Sequence, residues 1–496
     1  MRVSLLLALL LVSPAGAEEE AKPIWLVVGP EVLTASIGPL AEFRKAEGFE
    51  VRIAEPPVAN AIEALGRAPA FVLIVGDYEP GKDAEDWQVA PLTRPFYRWT
   101  RSQRTEFSTD SLYGDSDGDL MPDFPVGRIP ARTAAEVAVV VAKTLAFERR
   151  TPTMADLRIL SWGGAPGYGG LIDAMATGML ISTVRRYAPA WADRYLINSV
   201  FGNPLCGWPP DQPDNFNREW NRGAILASFV AHASAQAVFA MRHDEKRIMY
   251  HPGHAMLGLR GANPVAPAVF LTCYSGEFDG VIPSLAEIML TLPGGPPVVI
   301  AATTESHPLT NLFTGRAMLA RLGKDGPRIG NVWVDTQRAA AGMRDFLIEK
   351  MLQDAEGKLE DEIDIAKLKR DQALMYAILG DPALKLKLPV PAPDSLGLIT
   401  EKIEGGWTWT VPKPEGATRL IVGHRAAPKP GGPRTVPENA EEANGILARA
   451  NAREHYAKVR AASADEDWTG EITEPGWYRF VVFAAGQLRV VAVELK

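Results

Sequence analysis

Unbroken apolar runs, not alternating ones, set the frame of this chain. Ile24–Val28, Phe71–Val75 and residues 298–302 contain no polar side chain, and 223–230 and 266–272 hold one hydroxyl residue each. Such runs fit strands buried on both faces, as in a parallel sheet covered by helices. Helical segments lie between them. These are 40–47, closed by Gly48; 59–65; 171–187; and a helix running to about residue 150 from the capping box Thr133-Ala134-Ala135-Glu136. Glu50–Ala54 and 157–162 add two more strands. The strand–helix alternation predicts an α/β architecture with a parallel sheet, in one unit over 18–150 and a second over 151–390. Residues 363–379 read as a single helix ended by Gly380-Asp381-Pro382, which leads into 383–388.

The pattern then changes. Pro389-Val390-Pro391-Ala392-Pro393 has the composition of a linker. Short β runs follow at 407–411, 419–423, 468–472, 477–484 and 488–495, with turn residues between them. They predict a small antiparallel sandwich over 395–496. A helical stretch at 439–450 stands outside that scheme.

Composition alters this picture in a few places. The chain has 496 residues, 47% hydrophobic and 23% charged, with a net charge of -8 that argues against a nucleic-acid partner. Arg2, the run 3–12, Ser13-Pro14-Ala15-Gly16-Ala17 and three glutamates form the pattern of a secretory signal over 1–17. The protein is therefore expected to be exported, to a periplasm or the extracellular space. No run is long enough for a transmembrane segment. Only two cysteines, Cys206 and Cys273, are present, which excludes a disulfide-dense scaffold but leaves one bridge between them open.

Two apolar runs end in complementary chemistry. The first leads into Ala231-His232-Ala233-Ser234 and the second into Cys273-Tyr274-Ser275-Gly276. Neighbouring strands of one parallel sheet would bring both groups to the carboxyl edge, where open α/β sheets place their chemistry. A thiol beside an imidazole gives a thiolate nucleophile near neutral pH. Either residue alone is an ordinary core side chain. Together, after matched strands, they point to a cysteine peptidase with Cys273 as nucleophile, His232 as base, and protein or peptide substrates.

Four segments carry a resemblance to a known family. They are Ser108-Thr109-Asp110-Ser111-Leu112-Tyr113-Gly114-Asp115 with Val126-Gly127-Arg128-Ile129-Pro130; Val230-Ala231-His232-Ala233-Ser234; Cys273-Tyr274-Ser275-Gly276; and Tyr376-Ala377-Ile378-Leu379-Gly380-Asp381-Pro382-Ala383-Leu384. In order and spacing they resemble the gingipain family of secreted cysteine peptidases, over about residues 24–390. The resemblance implies a caspase-like parallel-sheet catalytic region in two subdomains, followed by an immunoglobulin-like β-sandwich. It also implies an oxyanion hole formed by backbone amides at Ala233 and Cys273. The chain departs from the family at two places. Ala231 and Ala233 replace glycines, and a left-handed backbone at either would cost about 1 kcal/mol or more. Gly163-Gly164 stands where family members can carry an acid that orients the histidine. A Cys-His dyad is therefore expected. The competing reading is an inactive member that serves as a secreted binding or adhesion module.

Other motifs add smaller expectations. Asp115, Asp117, Asp119 and Asp123 present carboxylates at the alternate spacing calcium favours, without the glycine and terminal glutamate of an EF-hand, so a structural calcium ion is expected. His243, His251 and His254 hint at zinc, but Pro252-Gly253 breaks any helix that would align them, and surface-loop histidines are the better reading. The turn Gly163-Gly164-Ala165-Pro166-Gly167 lacks the lysine and spacing of a phosphate loop. Glu305 and Ser306, after the strand 298–302, and Asp173, after the glycine-rich turn, are the candidate substrate-binding residues. An acid in that place would select Arg or Lys.

Overall fold

Ten of the strands join in one sheet: β1 (Ile24–Val28), β2 (Glu50–Ala54), β3 (Phe71–Val75), β4 (Val126–Ile129), β5 (Arg158–Gly163), β6 (Asp193–Asn198), β7 (Leu226–Val230), β8 (Ala268–Leu271), β9 (Val299–Ala302) and β10 (Tyr376–Leu379). The computed structural model describes residues 21–82, 85–97, 105–167, 169–261, 265–323, 328–356, 363–391, 396–426 and 436–496; the expected signal segment 1–17 lies outside them. The strand order is β2-β1-β3-β4-β10-β9-β8-β7-β5-β6. Every pairing is parallel except that of β9 with β10 at the centre. Two parallel halves of opposite direction thus meet at one antiparallel seam.

The helices that matter for the site are α1 (Ala134–Arg149), α2 (Gly170–Tyr187), α3 (Pro308–Arg321), α4 (Ile365–Leu374) and α5 (Ala440–Ala452). Thr133 and Glu136 form the expected reciprocal cap of α1. The helix expected over 363–379 divides in two: α4 ends at Leu374, and Tyr376–Leu379 crosses back to become β10. A four-residue apolar run directly after a helix has no periodicity of its own, so pattern alone reads it as helix. Residues 383–388 form no strand apart from a bridge at Lys385.

The turn that follows β10 carries a buried charge cluster. The carboxylate of Asp381 accepts from Trp25 Nε1 (3.1 Å) and from Arg44 Nε (3.0 Å) and Nη2 (2.6 Å). Arg44 also bonds Glu148 on α1, and Arg44 and Asp381 are fully buried.

The tail forms two sheets. Five strands (Val390–Pro391, Gln487–Leu495, Gly476–Ala484, Ala417–Arg425, Ala457–Ser463) make one, and three (Ile399–Ile403, Gly406–Thr410, Thr469–Ile472) the other. Leu420, Val422, Phe480 and Val482 share a core with Trp409 and Ile472 of the smaller sheet. Their sequence neighbours Ile421 and Val481, with Leu488 and Val490, belong to the core of the α/β part with Trp191 and Leu196. Burial on both faces explains why 477–484 is almost unbroken in its apolar character. The odd helix α5 also finds its purpose here. Asn451 Nδ2 donates to Leu196 O (3.0 Å) and Leu196 N–H donates to Asn451 Oδ1 (2.7 Å), so a side-chain amide satisfies the backbone of the edge strand β6.

Candidate active site

Strand register sets Cys273 and His232 just past the ends of neighbouring strands. In the parallel pair β7–β8, Val230 lies opposite Leu271. His232 and Cys273 each follow by two residues, at the carboxyl ends of adjacent strands.

Beyond β7 the chain enters a small antiparallel sheet of His232–Ser234, Ala237–His243 and Lys246–Tyr250. The hairpin over 237–250 has no counterpart in the sequence reading. It holds Ala231 and Ala233 away from positive φ, so the alanines that replace glycines carry no left-handed strain. The strain falls at Tyr274 instead, directly after Cys273, with φ 59. Its N–H donates to Thr304 O (2.9 Å), and that of Gly276 donates to Ala302 O (2.9 Å), which laces the turn to the chain leaving β9. A Cβ on Gly276 would sit 2.8 Å from Ala301 Cβ and 2.9 Å from Ala301 O. Gly276→Ala is expected to cost about 1–3 kcal/mol, read from the denaturant midpoint, because main chain must give way.

His232 is exposed, and its Nε2 lies 2.6 Å from Pro166 O. A carbonyl only accepts, so Nε2 carries the hydrogen, and in the neutral ring Nδ1 carries the lone pair. Pro166 belongs to the glycine-rich turn, so a main-chain carbonyl stands where an orienting acid was sought. The absence of that acid has a steric cause. A Cβ on Gly164 would lie 2.5 Å from Phe239 O and 2.6 Å from Ala231 Cβ. The Ala231 methyl occupies the room a side chain at 164 would need.

Cys273 is half-buried, and its Sγ lies 3.4 Å from Ser306 O and 3.9 Å from Ser306 Oγ. Burial pushes the thiol above its usual range; the charge of Glu305 acts in the same direction, while hydrogen bonds from Ser306 partly offset both. Glu305 is half-buried beside the thiol. Ser306 is only 2% exposed, turned toward Cys273 and Asn311. Asp173 sits half-buried in the first turn of α2.

The segments behind the family resemblance meet around this turn. Arg128 is fully buried and forks onto Asp110 (2.7 and 2.8 Å), donates to Gly76 O and Val89 O, and lies 4.6 Å over the Phe278 ring. Ser108 Oγ donates to Asp279 (2.9 Å), and Thr303 Oγ1 to Ser108 O (2.7 Å). Ser108, Asp110 and Arg128 enter the sequence reading only as parts of the resembling segments, without a role, although an arginine inside the run Val126–Ile129 was a visible signal. Cys206 is a separate matter. It is buried, free of any bridge to Cys273, and its thiol is pushed up to about 12 by burial.

In the acidic loop, ligand oxygens of Asp115, Asp117 and Asp123 come within 4.8 Å of one another. Asp119 is outside that group and accepts from Met121 N–H (2.8 Å). Gly118 and Leu120, at φ 82 and 66, wrap the chain around Asp115, which accepts both of their N–H groups. Three hard oxygen donors on one loop suit a hard cation, although Arg338 also pairs with Asp123. Among the described residues this is the one such cluster of His, Cys, Asp or Glu. His251 instead caps the helix Pro252–Gly258 and packs 4.0 Å from the His254 ring, while His243 sits between Phe201 and Trp208.

A largely parallel α/β sheet with a cysteine and a histidine at neighbouring strand ends is the frame of a class of cysteine peptidases. The family model of peptidase family C25 matches residues 18–387, and the chain belongs to that family, the gingipain family of cysteine peptidases. Solved structures share the fold. The Arg-specific cysteine proteinase gingipain R (RgpB) is 14% identical, with a TM-score of 0.55 over 97% of this chain and 99% of its own. The complex of the pro- and mature domains of RgpB from Porphyromonas gingivalis gives 14%, 0.53, 95% and 100%. A further protease structure gives 14%, 0.54, 95% and 97%. No curated protein sequence matches the chain. Among the described residues no helix is long and apolar enough to cross a membrane.

Proposed function

We propose that the protein is an exported cysteine endopeptidase that hydrolyses peptide bonds through Cys273 and His232. The observation that carries this reading is the register of β7 on β8, which leaves both residues two positions past a paired Val230 and Leu271. The Pro166 carbonyl holds the His232 Nε2–H, and Nδ1 is the proposed base. In the reaction Nδ1 takes the thiol proton, and Sγ bonds to the scissile carbonyl carbon. The same proton then passes to the leaving amine, and water hydrolyses the thioester. Ala233 and Cys273 amides receive the oxyanion. In the two-residue hairpin closed by Ser234 and Ala237, Ala233 occupies a non-hydrogen-bonded pair, so its N–H points out of the ladder. Glu305 and Asp173 are the proposed substrate contacts, with Arg or Lys preferred. The tail over 395–496 is read as an immunoglobulin-like module, after catalytic subdomains over 18–150 and 151–390.

Turnover of a peptide panel by the protein and by Cys273→Ala tests the reading; equal rates in the two would sink it. One observation favours the alternative of an inactive binding or adhesion module: the thiol is partly buried, and burial favours its protonated form. Rapid iodoacetamide labelling of Cys273 near pH 7 argues for the enzyme, and resistance argues for the module.

The acidic loop is proposed as a structural calcium site with Asp115, Asp117 and Asp123 as ligands and Asp119 beside them. Millimolar calcium is expected to raise the unfolding temperature, and Asp117→Asn to abolish that rise. Equal shifts in both proteins would remove calcium from the account.

A further inference from the structure

Beneath the Cys273 sulfur lies a chain of buried polar groups that the peptidase reading leaves unused. Asn311, in the first turn of α3, donates Nδ2 to Ser306 Oγ at 3.1 Å. Its Oδ1 accepts from Gln372 Nε2 at 2.6 Å and from the Tyr376 hydroxyl at 2.5 Å. Gln372 Oε1 in turn accepts from His307 N–H at 2.8 Å. The four side chains are between 1% and 5% exposed. Tyr376 opens β10 opposite Ala302 of β9, so the chain of bonds runs from the seam between the two half-sheets to the sulfur.

The direction of these bonds follows from their chemistry. His307 N–H can only donate, which places Gln372 Oε1 toward it and leaves the Gln372 amide nitrogen as the donor to Asn311. Asn311 Oδ1 therefore accepts, and its Nδ2 donates to Ser306. Having accepted, the Ser306 hydroxyl keeps its own hydrogen to give, with the Tyr376 oxygen as one acceptor beside it and the Cys273 sulfur, 3.9 Å away, as the other. The carbonyl of the same residue faces the sulfur at 3.4 Å as an acceptor.

We propose that Ser306 is a positioning residue for Cys273: its carbonyl holds the thiol, and its hydroxyl, aimed by Asn311, donates to the sulfur once the proton has left. The inference rests on Cys273 as the nucleophile. One proton moves from Sγ to His232, and no other bond is made or broken in that step. The titratable groups around the sulfur are Glu305, Tyr376 and, from the neighbouring strand end, His232. Glu305 opposes the thiolate, and the backbone and hydroxyl of Ser306 both act against Glu305.

The test is iodoacetamide labelling of Cys273 across pH in the full chain, with peptide turnover measured alongside. Ser306→Ala is expected to raise the labelling midpoint by about one pH unit, the usual contribution of a hydrogen bond to a charged group, and so to slow labelling at pH 7 about tenfold. Asn311→Ala, which removes the donor that aims the Ser306 hydroxyl, moves the midpoint the same way by less. A purely structural role would shift stability and leave the midpoint in place. An unchanged midpoint in folded Ser306→Ala overturns the proposal. If that variant does not fold, an unchanged midpoint in Asn311→Ala overturns it equally, as does a Cys273 that labels at no pH in the unsubstituted protein. A shifted midpoint with no peptide turnover in any variant supports the positioning role and sinks the peptidase reading alone.

Discussion

Cys273→Ala is expected to lower peptide turnover by about ten-thousand-fold or more while leaving the fold intact. On the proposed reading the alanine removes the atom that attacks substrate, and the half-buried site loses a single sulfur. His232→Ala is expected to cost about 10²–10⁴-fold, because thiol activation and leaving-group protonation both pass through its ring. The double variant should be no worse than Cys273→Ala, since the two residues act as a unit. Rates on a peptide panel, with circular dichroism as the control for folding, check all three. Residual turnover within tenfold of the unsubstituted protein in Cys273→Ala would move the chemistry elsewhere.

Arg44→Met carries the largest expected loss of stability, about 3–5 kcal/mol. Arg44 is fully buried between Asp381 and Glu148, with Glu47 on its Nη1, and its removal leaves two buried carboxylates facing each other without the guanidinium that pairs both. Burial already pushes the Glu148 carboxyl up, against the pull of Arg44. Without the guanidinium it rises further, and the native state then holds a proton that the unfolded chain has released. Stability contributed by that proton is lost as pH rises, so the variant should be most destabilised near pH 8 and less so near pH 5. Removing the charge of both carboxylates together with Arg44 should recover part of the loss. Denaturant midpoints at the two pH values provide the measurement. A loss independent of pH would assign the effect to packing instead.

The same cluster shows how far local sequence reaches. Gly380-Asp381-Pro382 is legible as a stop signal, and Asp381 does follow β10 in a turn. That its carboxylate binds Arg44 and Trp25, more than three hundred residues away, follows only from the chain crossing the seam. Ser306 behaves likewise. Its position after an apolar run made it a candidate for contact with substrate. Its burial depends on Asn311, Gln372 and Tyr376, which reach it from α3, α4 and β10.

Apolar runs by themselves determined most strands of the sheet, capping chemistry marked the start of α1, and the ends of two runs made His232 and Cys273 candidates for one site. These are local facts, since period, capping chemistry and turn residues act over a few positions. Three things were left to tertiary structure. Tyr376–Leu379 became a strand because an open seam between two half-sheets accepts it, where its own pattern continues a helix. Gly164 lacks an acid because Ala231 and Phe239, from other elements, fill the space. The orienting partner of His232 is a backbone carbonyl, and every residue has one, so no side-chain pattern marks which carbonyl a fold will choose.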